Sequence, residues 1–135
     1  RLHGAVARAV HARAVAAGAH CRPPTAGFYV YPDFEPLRAP LARRGITDSA
    51  SLAAHLLDDG GVAVLAGHLL GDDPAALRFK AATSLLYGDE EQQLQALRAA
   101  DPTALPHITD QLTRIEAAFT RLTAEPGPRP NRRPS

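Results

Sequence analysis

The chain has 135 residues, enough for one domain with one hydrophobic core, and 45% of them are hydrophobic, as in ordinary globular proteins. The net charge of +1 leaves no large basic field for nucleic acid, and no apolar run reaches the roughly 18 residues of a membrane span. The single cysteine, Cys21, excludes an internal disulfide and favours a reducing, cytoplasmic compartment.

The first predicted element is a helix over residues 1–18. Gly18 is expected to end it, and no capping residue stands before Arg1. The sequence also contains no methionine, so we expect the chain to be part of a longer polypeptide. Its apolar positions recur at near-helical spacing: Leu2, Val6, Val10 and Val15.

The next segments alternate between extended and helical patterns. Residues 28–34, FYVYPDF, are aromatic and β-branched and predict a strand that ends near Pro32. Residues 35–45, EPLRAPLARRG, predict a short helix that Pro36 and Pro40 break or start and that Gly45 closes. Residues 47–61 predict a further helix, with a capping residue among Thr47 to Ser49 and the Gly60-Gly61 pair at the end.

Two further strands are predicted over 62–67, VAVLAG, and 77–83, LRFKAAT, with a loop at 68–75 between them. This connection is too short for a helical crossover, so the two strands should be antiparallel neighbours.

The last third of the chain is predicted to be helical over residues 89–101 and 103–124. The final segment, 125–135, is rich in proline and arginine and is predicted to be disordered. The element order indicates an α+β fold, with a small, mostly antiparallel sheet and helices packed on one side. The helix predicted over 103–124 has one apolar stripe: Ile108, Leu112, Ile115, Phe119 and Leu122.

Metal and nucleophile motifs are not recognisable in the sequence. Six histidines are scattered along the chain without zinc-ligand spacing, so no metal site is expected. Cys21 has only His20 beside it, and sequence neighbours seldom form a nucleophile and base pair, so we interpret it as an ordinary cysteine.

Arg78 is the candidate binding residue. In a strand, Arg78 and Lys80 point to one face, while Leu77 and Phe79 point to the other and can enter the core. The planar guanidinium matches a carboxylate with two parallel hydrogen bonds. The alternatives are a solvent-facing arginine or a structural ion pair with Asp72 or Asp73.

Three segments in this order, PPTAGFYVYPDF, GITDSASLAAHLLDDGGVAVLAGHLLG and LRFKAATSLLYG, resemble the C-terminal small domain of class I/II, fold-type I, pyridoxal-phosphate-dependent aminotransferases. The resemblance covers about residues 1–123. It implies that 1–18 are the end of the interdomain helix, 19–124 the small domain and 125–135 a tail. Two departures lie in the loop, where Ala66-Gly67 replaces the usual Pro-Gly and Leu70-Gly71 the usual Phe-Gly.

The resemblance implies that Arg78 binds the substrate α-carboxylate and that amino acids and 2-oxo acids are the substrates. Pyridoxal phosphate would be bound by a large domain outside this sequence, which also carries the catalytic and cofactor-binding residues. Lys80 is then an exposed or cleft-edge lysine rather than the cofactor lysine. The full-length enzyme would be a cytoplasmic homodimer, with neither nucleic acid nor membrane as a partner.

Two alternatives remain open. Another fold-type I enzyme, a carbon–sulfur lyase, a decarboxylase or an acyl-condensing synthase, would have a similar small domain. A free-standing interaction module descended from such a domain would have lost catalysis.

Overall fold

The structure is a computed structural model that describes residues 2–24, 29–82 and 90–123. The predicted tail at 125–135, Phe28 and the end of the third predicted strand lie outside the described residues. Among the described residues, the α-helices are α1 Leu2–Ala16, α2 Arg38–Ala42, α3 Ser49–Gly60, α4 Glu90–Arg98 and α5 Pro106–Thr123. The strands are β1 Tyr29–Val30, β2 Leu65–Ala66 and β3 Phe79–Ala82. Short 3-10 helices lie at Glu35–Leu37, Gly67–Leu70 and Pro102–Ala104.

The three strands form an antiparallel sheet in the order β1-β3-β2. Alternation along the strands turns Val30, Ala66 and Phe79 into the core, while Tyr29 and Leu65 stay exposed on the other face. The helices therefore cover one face of the sheet. This confirms the predicted α+β fold and the antiparallel pairing of the two later strands.

The core is centred on three phenylalanine rings from three different segments. Phe34 lies 5.8 Å from Phe79 and 5.6 Å from Phe119 between ring centroids, and Phe79 lies 6.0 Å from Phe119. All three side chains are buried. The predicted stripe of α5 is confirmed, since each of its five members is buried in the same core.

The ends of α3 follow from local chemistry. The Asp48 side chain accepts a hydrogen bond from the Ser51 backbone N–H at 2.8 Å, and Ser51 Oγ accepts one from the Asp48 N–H at 3.1 Å. This reciprocal capping box satisfies two N–H groups that the first turn leaves without helical partners. At the other end, Gly61 takes a left-handed conformation with φ 67°, which glycine adopts without a steric cost.

The strands are shorter than the sequence predicts. The strand expected to end near Pro32 contains only Tyr29–Val30 among the described residues. Pro32 has no N–H to donate, and pairing returns only as an isolated bridge at Asp33. The strand expected over 62–67 is limited to Leu65–Ala66. The Val62 N–H instead donates to the Leu56 carbonyl at 3.0 Å, completing the end of α3.

Two helical predictions also need adjustment. The helix expected over 35–45 is divided into the 3-10 turn Glu35–Leu37 and α2. The helix expected to start at 103 starts at Pro106, which suits the first position of a helix because its missing N–H would have had no helical acceptor there.

Gly60 allows α3 to approach α5 closely. A Cβ atom at this position would lie 2.5 Å from Ala118 Cβ and 3.3 Å from Ala118 Cα. We expect Gly60→Ala to lower the free energy of unfolding by about 1–3 kcal/mol through overpacking, as measured by urea denaturation. Adding Ala118→Gly should recover part of this loss; strictly additive effects of the two changes would contradict the proposed clash.

Candidate functional site

Arg78 lies immediately before β3, between two other segments of backbone. It forms an isolated antiparallel bridge with Asp33. Its carbonyl accepts a hydrogen bond from the Gly67 N–H at 2.9 Å. On either side in sequence, Leu77 and Phe79 are buried as predicted, so the chain is anchored on both sides of the arginine.

The guanidinium of Arg78 contacts two carboxylates of its own chain. Nε donates to Asp72 Oδ2 at 2.7 Å and Nη2 donates to Asp72 Oδ1 at 2.9 Å, which is a bidentate contact. Nη1 donates to Asp33 Oδ2 at a longer distance, 3.2 Å. The ion pair with Asp72, one of the alternatives predicted from the sequence, is thus present, whereas Asp73 accepts from the Ala75 N–H instead.

Tyr31 extends this arrangement. Its hydroxyl donates to Asp72 Oδ2 at 2.5 Å. We call Tyr31, Asp33, Asp72 and Arg78 the Arg78 cluster. It contains one cation and two carboxylates, with side-chain exposures of 33% for Arg78, 26% for Asp33 and 22% for Asp72.

The contacts within the Arg78 cluster determine its protonation. Hydrogen bonds from Arg78 and then Tyr31 hold the pKa of the Asp72 carboxyl well below its usual range. Burial, together with the hydrogen bond to Asp72, raises the pKa of Tyr31 to about 12. Asp72 in turn raises the pKa of Arg78 above its ordinary value. At neutral pH, Tyr31 therefore keeps its proton and donates a hydrogen bond, and Asp72 and Arg78 are a charged pair.

A cavity of about 630 Å³ opens beside the cluster. Arg78, Asp33 and Tyr31 line it, whereas Asp72 does not belong to its lining and holds the guanidinium from outside the cavity. A ligand in the cavity would approach Arg78 from the Asp33 side. The other lining residues are His20, Cys21, Arg22, Pro23, Pro24, Tyr29 and Val30.

Gly67 leaves room for the cluster. A Cβ atom there would lie 2.7 Å from the Tyr31 hydroxyl, 3.0 Å from the Arg78 carbonyl oxygen and 3.3 Å from Asp72 Oδ2. Any larger residue would press on the hydroxyl or the backbone. Ala66-Gly67, where the aminotransferases that the sequence resembles usually have Pro-Gly, therefore lies against the candidate site.

Lys80 is not part of the cluster. Its Nζ lies 4.7 Å from the centroid of the Tyr29 ring, on the outer face of the sheet, where Lys80 is paired with Leu65. The only lysine of the chain thus makes a cation–π contact with an exposed aromatic ring. Pyridoxal phosphate requires an amine for its imine, and Lys80 does not belong to the lining of the cavity beside Arg78.

Cys21 lines the cavity, and burial raises the pKa of its thiol above the usual value, so it is less reactive than a free cysteine.

His68 Nδ1 lies 3.0 Å from Ser49 Oγ, and this hydrogen bond connects the segment after β2 to the start of α3. Within residues 2–24, 29–82 and 90–123, no group of three or more metal-ligating side chains is found.

Sequence reasoning missed Tyr31 and Asp33 as neighbours of Arg78. They lie 41 residues from Asp72 and 45 residues from Arg78 in the chain, respectively, and only the pairing of segments brings them together. The alternating pattern of residues 28–34 gave the one usable signal, since it placed Tyr29, Tyr31 and Asp33 on a common face of an extended segment.

The low pKa of Asp72 predicts a contribution to acid stability. Because the folded-state pKa is below the unfolded value of about 3.9, this contribution is present above about pH 4 and is lost as the pH falls through the folded value. We expect Asp72→Asn to lower the free energy of unfolding by about 1–2 kcal/mol at pH 7, with the difference from the wild type shrinking below pH 4.

Urea denaturation between pH 2 and pH 7 measures this difference. Asp58→Asn, at an exposed carboxylate on α3, is the matched control and should change the stability by less than about 0.5 kcal/mol throughout. An Asp72→Asn effect that stays constant down to pH 2 would show that the ionised carboxylate is not the source.

Comparisons with protein-family models, curated proteins and solved structures find no match to this chain. In the part of the chain that the structure describes, every helix is too short or too polar to cross a membrane. The functional argument therefore rests on the Arg78 cluster and its cavity.

Proposed function

We propose that the chain is the C-terminal small domain of a fold-type I, pyridoxal-phosphate-dependent aminotransferase that transfers an amino group between an amino acid and a 2-oxo acid. One observation carries the proposal: the partly exposed guanidinium of Arg78 lines a cavity and already holds one carboxylate, that of Asp72, with two parallel hydrogen bonds. Both substrates contain a carboxylate, so one arginine serves both halves of the reaction.

The fold supports this proposal. An antiparallel sheet covered by helices on one side is the architecture that the resemblance implies for the small domain. Arg78 stands at the beginning of the central strand, where its backbone is bonded to the Gly67 loop and bridged to Asp33. A side chain placed there is positioned by rigid neighbours on both sides, as a binding residue requires.

The role of Arg78 would be to orient the substrate. Two parallel hydrogen bonds to the α-carboxylate restrict rotation about the bond to Cα and so determine which bond at Cα faces the reacting group. Positioning of this kind can contribute several kcal/mol to lowering a barrier. The cavity wall around Arg78 would exclude water as the small domain closes on the substrate.

The cofactor belongs to a part of the enzyme outside this sequence. As the resemblance implies, the lysine that binds pyridoxal phosphate and the groups that bind its phosphate would lie in the large domain; Lys80 does not line the cavity beside Arg78. The proposed full-length enzyme is a homodimer, as the resemblance implies. Its proposed location in the cytoplasm agrees with the single, free cysteine.

The Arg78 geometry supports the substrate class more directly than the reaction type. A carbon–sulfur lyase or a synthase that retains the substrate carboxylate would use the same contact. Products separate these reactions: transamination yields a new amino acid and a 2-oxo acid, whereas elimination releases ammonia and a sulfur compound.

The test uses the full-length polypeptide that contains this chain, supplied with pyridoxal phosphate. A panel of ¹⁵N-labelled amino acids is mixed with several 2-oxo acids, and mass spectrometry follows the label into a second amino acid. Transfer of label supports the proposal. Release of labelled ammonia without a labelled second amino acid would replace transamination by elimination, and no reaction with any pair in the panel would contradict both.

A further inference from the structure

We propose that the two aspartates of the Arg78 cluster have opposite roles. Asp72 positions the guanidinium, while Asp33 occupies the place on it that a ligand carboxylate takes, so that ligand binding displaces Asp33. This inference rests on the proposed function, because it assumes that Arg78 receives a carboxylate from the cavity.

Asp72 has the contacts of a positioning residue. Both its oxygens accept from the guanidinium, at 2.7 and 2.9 Å. Oδ2 also accepts from Tyr31 at 2.5 Å, and Oδ1 accepts from the Asp73 N–H at 2.8 Å. Four hydrogen bonds and the neighbouring Gly67 hold this carboxylate, which does not line the cavity.

Asp33 has the contacts of a residue that can be displaced. It makes one hydrogen bond to the guanidinium, at 3.2 Å, through Oδ2. Its other oxygen, Oδ1, accepts from the Glu35 N–H at 2.9 Å and does not depend on Arg78. Asp33 and Arg78 both line the cavity, so a ligand that reaches one of them also meets the other.

The geometry of the guanidinium explains why the two roles differ. It offers five N–H donors, and Asp72 takes the pair formed by Nε and Nη2. A second bidentate contact must use Nη1 together with Nη2, and Nη1 is the nitrogen that Asp33 contacts. Asp33 also carries a negative charge, which repels an incoming carboxylate. Both effects oppose ligand binding until the Asp33 contact breaks.

The chain itself can test this division with propionate as a small carboxylate probe. The Arg78 Nε–Hε resonance, assigned by its loss in Arg78→Gln, is followed by NMR as propionate replaces chloride at constant ionic strength. Asp33→Asn retains an oxygen that can accept from the Glu35 N–H but removes the charge. We expect it to bind propionate about 5- to 10-fold more tightly than the wild type.

Asp72→Asn should have the opposite effect, weakening propionate binding at least about 3-fold. The Arg78 resonance should then lose its distinct shift while the rest of the spectrum stays native. Tyr31→Phe removes only one of the four bonds to Asp72, so it should give a smaller change of the same sign and serves as the second variant if Asp72→Asn does not fold.

Three results would overturn the inference, and they differ in what they leave standing. If the wild type binds propionate and Asp33→Asn binds it with the same affinity, the displacement of Asp33 is rejected while the carboxylate site is retained. Tighter binding in Asp72→Asn would make Asp72 a second competitor rather than a positioning residue. No shift of the Arg78 resonance in the wild type or in any variant would reject the carboxylate site of the proposed function as well.

Discussion

In the proposed full-length aminotransferase, we expect Arg78→Ala to raise the KM for amino acids by about 10- to 1,000-fold, because one charge-assisted bidentate contact of a few kcal/mol would be lost. The absorption spectrum of the bound cofactor should hardly change, since Arg78 would contact the substrate rather than the cofactor. Steady-state kinetics with the amino acid and the 2-oxo acid varied in turn measure the effect, which should appear for both substrates.

Two further variants separate the fork of the arginine from its charge. Arg78→Lys keeps a cation but cannot form two parallel hydrogen bonds, so its KM should lie between those of the wild type and Arg78→Ala. Arg114→Ala, at an exposed position on α5, controls for the general loss of an arginine and should leave KM unchanged. A normal KM in Arg78→Ala would show that another group binds the carboxylate.

The stability of Arg78→Ala must be measured beside its kinetics. The change leaves Asp72 and Asp33 without their guanidinium partner, and the two carboxylates then repel each other. Thermal unfolding identifies the temperature below which the variant is fully folded, and kinetic constants measured there report on binding rather than on the folded fraction.

Phe119→Ala lowers the free energy of unfolding by about 3–5 kcal/mol, the largest effect on stability that we expect from one substitution. The ring is buried and contacts both Phe34 and Phe79, so its removal leaves a cavity at the centre of the core. Since domains of this kind are stable by about 5–15 kcal/mol, the variant should be only marginally folded at 37 °C.

Urea denaturation measures this loss as a lower transition midpoint with an unchanged m-value. Leu57→Ala on α3 is the control, because Leu57 is 53% exposed and its truncation should cost less than about 0.5 kcal/mol. A loss below about 1 kcal/mol in Phe119→Ala would mean that the three rings do not form a tightly packed centre.

The Phe119 variant also connects the core to the site. Phe34 follows Asp33, and Phe79 follows Arg78, so the ring cluster anchors the two segments that the isolated bridge joins. Loosening the rings should therefore broaden the Arg78 Nε–Hε resonance even under conditions where the chain remains folded.

The features that the sequence predicts well are those with local causes. The stripe of α5 depends on apolar residues three and four positions apart, and all five lie in the core. The end of α1 near Gly18 and the capping of α3 at Asp48 depend on the conformations and hydrogen bonds of a few adjacent residues. A pattern within one segment contains all the information that these features need.

What the tertiary structure alone decides is the set of partners around Arg78 and the extent of the strands. The sequence predicts that Arg78 leaves the core face and names Asp72, six residues away, as a possible partner. It does not identify Asp33 or Tyr31 as partners of Arg78, because contacts across more than 40 residues arise from the pairing of segments. The start of β2 has a similar cause: the backbone N–H of Val62 donates to the Leu56 carbonyl at the end of α3 and is not available for strand pairing.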